Sequence, residues 1–415
     1  MSLSLASLDL ADPRPPRANP FDALPDELLA LVFEAALAPP PPLPHQPRCE
    51  LLDTTERARC AQLSKLGCVS KRWREAADAV GEAVVRLDQA FGGIREREAP
   101  VRKLCVVVKE ASKVDRALSS PSLSSNLVAL TLSCATPGLP FPNEYGGPLL
   151  EHLEELTIVG TKTALVGSGW WKTFLYQAPS LRILRISGAV SLVDGPPHLP
   201  ASIETLQIHP SGATSAWLER VEPKPAIRHL HTVQDTHHES PLSAGDALLG
   251  LLTPPILPFW ANLTAFSFLV DDALDGSSVI FYDTFLPLAL PLQHLYTAQC
   301  ALNDRVLTHL PSLLHLRTLR LCRTADAPAA EHDPAHWTWH ALASNVKLLL
   351  KSPERAPGGP LRVEVKVEGS MRKYDVAQKG CRQAFAAVGV ERNEGRLRVT
   401  LQYWEDRPQW QAWPV

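Results

Sequence analysis

The sequence has no uninterrupted apolar run of the roughly 18–20 residues that a membrane-spanning helix requires, which predicts a soluble protein without a membrane partner. Its eight cysteines form no CxxC pair and no regular framework. Such a scatter is typical of free thiols in a reducing compartment. Residues 1–18 lack the basic start and apolar core of a secretory signal. We therefore expect a disordered leader over residues 1–18 and a protein of the cytoplasm, the nucleus or both.

Familiar catalytic and cofactor motifs are also missing. The sequence has no GxSxG, HExxH, P-loop or GxGxxG pattern, so we expect neither enzymatic activity nor a bound cofactor. A net charge of −3 argues against a surface dedicated to nucleic acid. Four histidines lie between residues 229 and 238. No nearby cysteine or well-spaced carboxylate set completes a metal site around them, so none is predicted.

Two apolar stripes run along the first amphipathic stretch, residues 24–37. Pro25 can open a helix there, because its missing N–H would be unpaired in the first turn anyway. One stripe is formed by Leu24, Leu28, Leu31 and Ala35, and the other by Leu29, Val32, Phe33, Ala36 and Leu37. A helix that is apolar on two faces must be buried on both. We expect one face to pack within its own domain and the other to bind a partner.

A second stretch, residues 63–80, places on one predicted helix face the apolar residues Leu66, Val69, Trp73, Ala76 and Val80. Together, Leu-Pro-x-Glu-Leu-Leu-x-x-Val-Phe and the later Val-Ser-Lys-Arg-Trp resemble the F-box, a small helical module that docks on the Skp-family adaptor of cullin–RING ubiquitin ligases. The alternative is a pair of ordinary core helices. The resemblance implies that the adaptor is bound by Leu24, Pro25, Leu28, Leu29, Val32, Phe33, Val69, Lys71 and Trp73.

The two halves of this F-box-like module lie farther apart than is usual in the family. A Pro-rich insert, residues 38–47, and a short polar helix separate them. A surface insertion of this kind adds little loop-closure entropy, so we interpret residues 38–47 as a spacer within a module that spans residues 19–85.

From residue 101 a Leu-x-x-Leu-x-Leu template recurs, mostly every 22–29 residues. Its middle anchors are Leu104, Leu130, Leu156, Leu184, Leu206, Leu230, Phe266, Leu295 and Leu319. The spacing resembles that of leucine-rich repeats, whose units stack into a solenoid with a parallel sheet on its concave side. We predict an irregular solenoid over residues 101–350, with an insertion or a degenerate turn between Leu230 and Phe266.

A polar column follows the middle anchors. The residue after each anchor from Leu130 onward is Thr131, Thr157, Arg185, Gln207, His231, Ser267, Tyr296 or Arg320. Period-two alternation places this column on the concave surface, opposite the core. Solvent exposure alone explains the polarity, whereas the residue mix favours recognition of a protein. The column therefore predicts a substrate-binding face made of Arg185, Gln207, His231, Tyr296 and Arg320.

After Leu350 the repeat pattern stops. Residues 361–368 and 396–404 alternate as half-buried strands, and a helical apolar stripe lies between them. Residues 351–415 therefore predict a strand–helix–strand unit that caps the solenoid.

The sequence thus predicts an α/β protein with a small all-α F-box-like module, an irregular leucine-rich-repeat solenoid and a C-terminal strand–helix–strand cap. The F-box resemblance implies the substrate receptor of an SCF-type cullin–RING ubiquitin ligase. Such a receptor binds a Skp-family adaptor and a protein target and does no chemistry itself. The alternative is a leucine-rich-repeat interaction scaffold with no ligase role, whose helical N-terminus is only a cap.

Overall fold

A computed structural model provides the structure of the chain. It describes residues 24–36, 62, 65–66, 68–79, 82–86, 102–108, 114, 118–119, 124–134, 139–140, 144–191, 195, 198–209, 212–222, 224–233, 249–269, 276–289, 291–299, 303–324, 337–355, 359–368, 371–389 and 396–404. The predicted leader (1–18) and the Pro-rich insert (38–47) lie outside the described residues.

One sheet of thirteen strands runs through the described chain, and every strand pairing in it is parallel. The strands are β1 (Glu82–Arg86), β2 (Lys103–Val108), β3 (Ala129–Cys134), β4 (Leu139–Pro140), β5 (Glu155–Leu165), β6 (Ile183–Ser191), β7 (Thr205–Ile208), β8 (His229–Val233), β9 (Ala265–Leu269), β10 (His294–Gln299), β11 (Thr318–Thr324), β12 (Leu361–Glu368) and β13 (Leu397–Trp404). They pair in sequence order, except that β4 pairs with β5 outside this path.

Helices and short 3-10 segments connect the strands of the sheet. The α-helices are α1 (Asp26–Ala36), α2 (Lys71–Ala79), α3 (Ser168–Gln177), α4 (Gly212–Arg220), α5 (Gly276–Phe285), α6 (Asp304–Leu307), α7 (Trp339–Lys351) and α8 (Met371–Ala387). The 3-10 segments are Gly250–Leu252, Leu257–Asn262, Leu286–Leu288 and Leu310–Ser312. The first two of these segments lie in the long interval between Leu230 and Phe266, where the sequence predicted an insertion or a degenerate turn.

The main core lies on one face of the sheet. Parallel strands need a crossover after each strand, and crossovers are almost always right-handed. When the strand order also follows the sequence, every crossover falls on the same face. The predicted anchors from Leu104 to Leu319 pair side by side and are at most 2% exposed. Crossover residues such as Trp170 and Phe174 pack into the same apolar cluster.

Eight strands, β3 and β5 to β11, begin with the same backbone contact, although the connections differ in length. One carbonyl ahead of a strand accepts two consecutive N–H groups at the entry of the next strand, over 2.7–3.1 Å. This contact recurs at Arg102, Val128, Glu154, Arg182, Glu204, Arg228, Thr264 and Gln293. The fold is therefore α/β and solenoid-like, with regular strand entries and irregular crossovers.

The C-terminal strand–helix–strand unit continues this sheet. Strands β12 and β13 occupy the positions that the alternating pattern indicated, and β12 pairs with both β11 and β13. From the intervening helix α8, Cys381 and Phe385 pack into the main core. Burial raises the pKa of the Cys381 thiol to about 11.

The sheet also begins earlier than predicted. Residues Glu82–Arg86 form β1, which pairs with β2 in parallel, whereas the sequence placed an all-helical module through residue 85. The strand pattern there is only five residues long and is followed by no clear repeat. Periodicity therefore could not distinguish it from a helix end.

The one-sided core predicts that a central anchor is far more costly to truncate than an exposed leucine. Leu206 is fully buried, whereas Leu288 is 48% exposed. Replacing Leu206 by Ala should lower the free energy of unfolding by about 2–5 kcal/mol, because it leaves a cavity. Leu288→Ala should change it by less than about 0.5 kcal/mol. Denaturant titration measures both values, and equal losses would contradict the stacked-core arrangement.

Candidate functional site

Helices α1 and α2 form a small hydrophobic cluster of their own. Leu29 and Phe33 of α1 are buried against Ala76 of α2. The Phe33 and Trp73 rings meet edge to face, with centroids 5.0 Å apart. Such a pair adds about 0.5–1.5 kcal/mol beyond simple area burial. One of the two predicted stripes of α1 is therefore an interior stripe.

The start of α2 is set by a serine cap. The Ser70 hydroxyl accepts a hydrogen bond from the Trp73 backbone N–H at 3.1 Å, which pairs one of the N–H groups left free in a first helical turn. The helix consequently begins at Lys71, and Val69 lies in the preceding turn. Val69 is 61% exposed, so its predicted place on the buried stripe is wrong.

Arg72 connects the beginnings of the two helices. Its Nε donates to the Asp26 carboxylate at 2.7 Å, and an Nη donates to the Leu24 carbonyl. With these two contacts the Arg72 side chain is only 31% exposed. The pairing uses the long arginine stem, which reaches across apolar surface to a polar partner.

The second stripe of α1 stays uncovered. Leu28 is 47% exposed and Leu31 is 58% exposed. Both lie on a helix of only 11 residues whose other stripe forms the interior. Large apolar side chains grouped on a small module make this stripe a candidate docking surface.

The nine predicted adaptor-binding residues fall into three groups. Leu29 and Phe33 are buried, and Leu24, Val32 and Trp73 are half-buried. The exposed members are Pro25, Leu28, Val69 and Lys71. A partner would therefore contact the exposed group directly, while the buried pair holds the surface in place.

The predicted polar column is also present, and its members are aligned. We call it the polar ladder: Thr131, Thr157, Arg185, Gln207, His231, Ser267, Tyr296 and Arg320. Each member is the register partner of the next on neighbouring parallel strands. The residue before each member belongs to the main core, so the ladder lies on the opposite face, which we call the second face.

Burial overturns the expectation that the polar ladder faces solvent. Arg185 and His231 are 0% exposed, Gln207 and Tyr296 are 1% exposed, and Arg320 is 6% exposed. A side chain with so little accessible surface cannot contact a protein target without rearrangement. The five predicted substrate-binding residues are thus aligned in one column as predicted, but they are buried and not accessible to solvent.

Hydrogen bonds between neighbouring strands join the side chains in the middle of the ladder. Arg185 Nε donates to the Glu155 carboxylate at 3.3 Å, and Arg185 Nη1 donates to the Gln207 side-chain oxygen at 3.0 Å. Farther along, His231 Nδ1 and the Ser267 hydroxyl are 2.8 Å apart. Buried charge is tolerated only when it is paired and hydrogen-bonded. These contacts therefore explain how a fully buried arginine is accommodated.

At the C-terminal end of the ladder a second arginine–glutamate pair lies beside a tyrosine ring. Arg320 Nε donates to the Glu364 carboxylate at 2.7 Å. The same guanidinium lies 5.1 Å from the centre of the Tyr296 ring, which is a cation–π arrangement. Burial raises the pKa of Tyr296, so its hydroxyl stays protonated at neutral pH.

The acidic partners of the ladder were not identified from the sequence. Glu155 precedes Thr157 by two residues, and Glu364 is the register partner of Arg320. Both signals are readable once strands are aligned by their anchors. Comparing each arginine with the residues aligned beside it on the neighbouring strand would have identified these carboxylates as partners of the buried arginines.

Two features of the described residues bear on catalytic and metal chemistry. Ser267 and His231 are spaced like a nucleophile and a base, but both are 0% exposed, so a substrate has no route to them. The part of the chain that the structure describes contains no group of three or more metal-ligating side chains. His237 and His238 lie outside it. No described helix has the length and apolar character needed to cross a bilayer.

No family model and no curated protein matches this chain. The candidate site is therefore assessed on its geometry: an uncovered apolar stripe on α1, and a second face whose central column is internally paired.

The polar ladder predicts that truncating Arg185 lowers the free energy of unfolding much more than truncating the nearby Arg182. Arg185→Ala removes the arginine that pairs with the Glu155 carboxylate and with the buried Gln207 side chain, which should cost about 3–5 kcal/mol of unfolding free energy. Arg182 forms a solvent-exposed pair with Glu204 at 2.8 Å, with side chains 53% and 32% exposed. Arg182→Ala should cost no more than about 1 kcal/mol.

Chemical denaturation of the two variants checks this contrast. If Arg185→Ala were as stable as Arg182→Ala, the ladder would not be a buried network, and direct target binding on this face would become tenable again.

Proposed function

We propose that this protein is a substrate receptor of a cullin–RING ubiquitin ligase. In this proposal α1 and α2 form an F-box-like module that docks on a Skp-family adaptor. The solenoid-like α/β body, whose anchors resemble leucine-rich repeats, holds a protein target within reach of the ubiquitin-transfer machinery. The protein then contributes proximity and no chemistry of its own.

The observation that carries this proposal is the two-sided character of α1. Leu29 and Phe33 of one apolar stripe pack against α2, while Leu28 and Leu31 of the other stripe remain exposed. Exposing two leucines on one helix of a water-soluble module is unfavourable unless a partner covers them. The pattern that resembles the F-box includes Leu28 on this stripe, and Leu31 extends the stripe by one turn.

The sheet and its crossovers support the second half of the proposal. Its strands share one core and one repeated entry contact, so they form a continuous framework rather than a chain of loosely joined units. Repeat frameworks of this kind present extended surfaces for protein binding. An interaction scaffold without a ligase role shares this framework and differs only in what covers α1.

Charge reversal of the apolar stripe separates these alternatives. Leu28→Arg combined with Leu31→Arg places two cations in an interface that must be apolar, so co-purification with a Skp-family adaptor should fall at least tenfold. Both positions are exposed, so the melting temperature should stay within a few degrees of the wild type. Pull-down followed by immunoblotting of the adaptor measures the effect.

Leu288→Arg is the matched control, since Leu288 is similarly exposed at 48% but lies on a 3-10 segment of the solenoid. It should retain the adaptor. Undiminished adaptor capture by the double variant would contradict the F-box assignment. Failure of the wild-type protein to capture any Skp-family adaptor would favour the scaffold.

A further inference from the structure

Charged residues at the strand entries are balanced in the middle of the sheet. The residues directly before β5, β6, β7 and β8 are Glu154, Arg182, Glu204 and Arg228, which alternate in sign. Arg182 pairs with Glu204 at 2.8 Å. The contact with Glu204, and to a lesser extent the charge of Glu154, raises the pKa of Arg182. This row is therefore close to neutral.

The balance is lost at the C-terminal end of the sheet. Here five arginines lie at or next to the strand entries, and we call them the arginine corner: Arg317, Arg355, Arg362, Arg396 and Arg398. Arg362 and Arg398 are direct register partners on β12 and β13. The Arg362 N–H donates to the Arg317 carbonyl at 2.8 Å, and the Leu361 N–H donates to the Arg396 carbonyl at 2.8 Å.

None of the five guanidiniums forms an ion pair within the part of the chain that the structure describes. Arg317, Arg362, Arg396 and Arg398 are exposed. The nearest carboxylate on β12, that of Glu364, is bound by Arg320. Uncompensated like charges at this spacing repel one another. The chain has a net charge of −3, so a shortage of acidic residues does not explain why these arginines lack ion pairs.

Arg355 shows the consequence of this crowding. One of its terminal nitrogens donates to the Leu316 carbonyl at 3.1 Å. The other, Nη1, is buried and has no hydrogen-bond partner. Burial, and then the nearby charge of Arg396, lowers the pKa of Arg355. A donor left without an acceptor in such a cluster is well suited to an incoming oxyanion.

We propose that the arginine corner binds an extended protein segment that carries oxyanions, either carboxylates or phosphates. Guanidinium groups match both oxyanions through paired N–H donors. Strand β13 ends the strand order, so its outer edge pairs with no described strand. An extended segment can add along such an edge while its charges reach the corner. This surface is separate from the α1 stripe and does not depend on adaptor binding.

A nucleic acid fits the corner less well. The cluster spans three neighbouring strands, about 10 Å at the usual strand separation. That width accommodates one or two oxyanions. Single-stranded nucleic acid is bound by grooves that follow many phosphates and stack bases on aromatic side chains, whereas the arginine corner is wide enough for only one or two phosphates.

Fluorescence anisotropy on the full-length protein tests the proposal. Three labelled peptides share one extended sequence and differ at two positions, which hold serine, glutamate or phosphoserine. A single-stranded RNA of similar length is the fourth probe. At about 0.15 M ionic strength, the wild type should bind a charged peptide at least tenfold more tightly than the serine peptide. The glutamate and phosphoserine peptides distinguish the two oxyanion sources.

Arg362→Glu combined with Arg398→Glu should weaken the charged-peptide complex at least tenfold. Arg362→Gln combined with Arg398→Gln removes the charge without reversing it and should also weaken binding, even if the first variant folds poorly. Arg228→Glu changes an exposed arginine from the balanced row and should leave binding unchanged. Thermal melting of each variant confirms that it is folded.

Three results would overturn the proposal. Equal affinity for the serine and charged peptides would show that the arginines only shield the edge of the sheet from aggregation. Undiminished charged-peptide binding by the folded glutamine variant would place the site elsewhere. Tighter binding of the RNA than of either charged peptide would show that the ligand of the arginine corner is a nucleic acid and not a protein segment.

Discussion

The handedness of parallel crossovers is the constraint on which the rest of this structure depends. The strand order follows the sequence, and crossovers between parallel strands are almost always right-handed, so the connections collect on one face of the sheet. The apolar anchors must then point to that face, and the main core is one-sided. A doubly wound sheet would have needed apolar residues on both faces. This one-sided core produces the period-two alternation of apolar and polar residues along the strands.

The second face follows from the same constraint, but with an unexpected consequence. Its central column is polar, yet it is buried and resolves its charges internally, through Glu155 with Arg185 and Glu364 with Arg320. Contacts of this kind specify register more than they add stability. We therefore propose that recognition uses features that retain accessible surface rather than the centre of the sheet. These are the exposed stripe of α1 and the unbalanced arginines beyond β11.

Much of this architecture was readable from the sequence, because it depends on periodicity. The anchor spacing predicted which residues align across neighbouring strands, and the alternation of β12 and β13 predicted their positions. Accessibility was not readable, since it depends on what lies beside each side chain rather than along the strand. The exposure of Val69 depends on where the Ser70 cap begins a helix. The inward turn of Arg72 depends on acceptors 46 and 48 residues away. The F-box-like role itself stays a prediction.

Hydrogen–deuterium exchange of the full-length protein, with and without a Skp-family adaptor, tests the central claim most directly. The claim is that the uncovered stripe of α1 is the docking surface and that the paired second face is internal structure. We expect adaptor binding to slow exchange in residues 26–36 and 68–79. Strands β5 to β11 should be protected from the outset and unchanged by the adaptor. No added protection of α1, or new protection confined to those strands, would contradict the account.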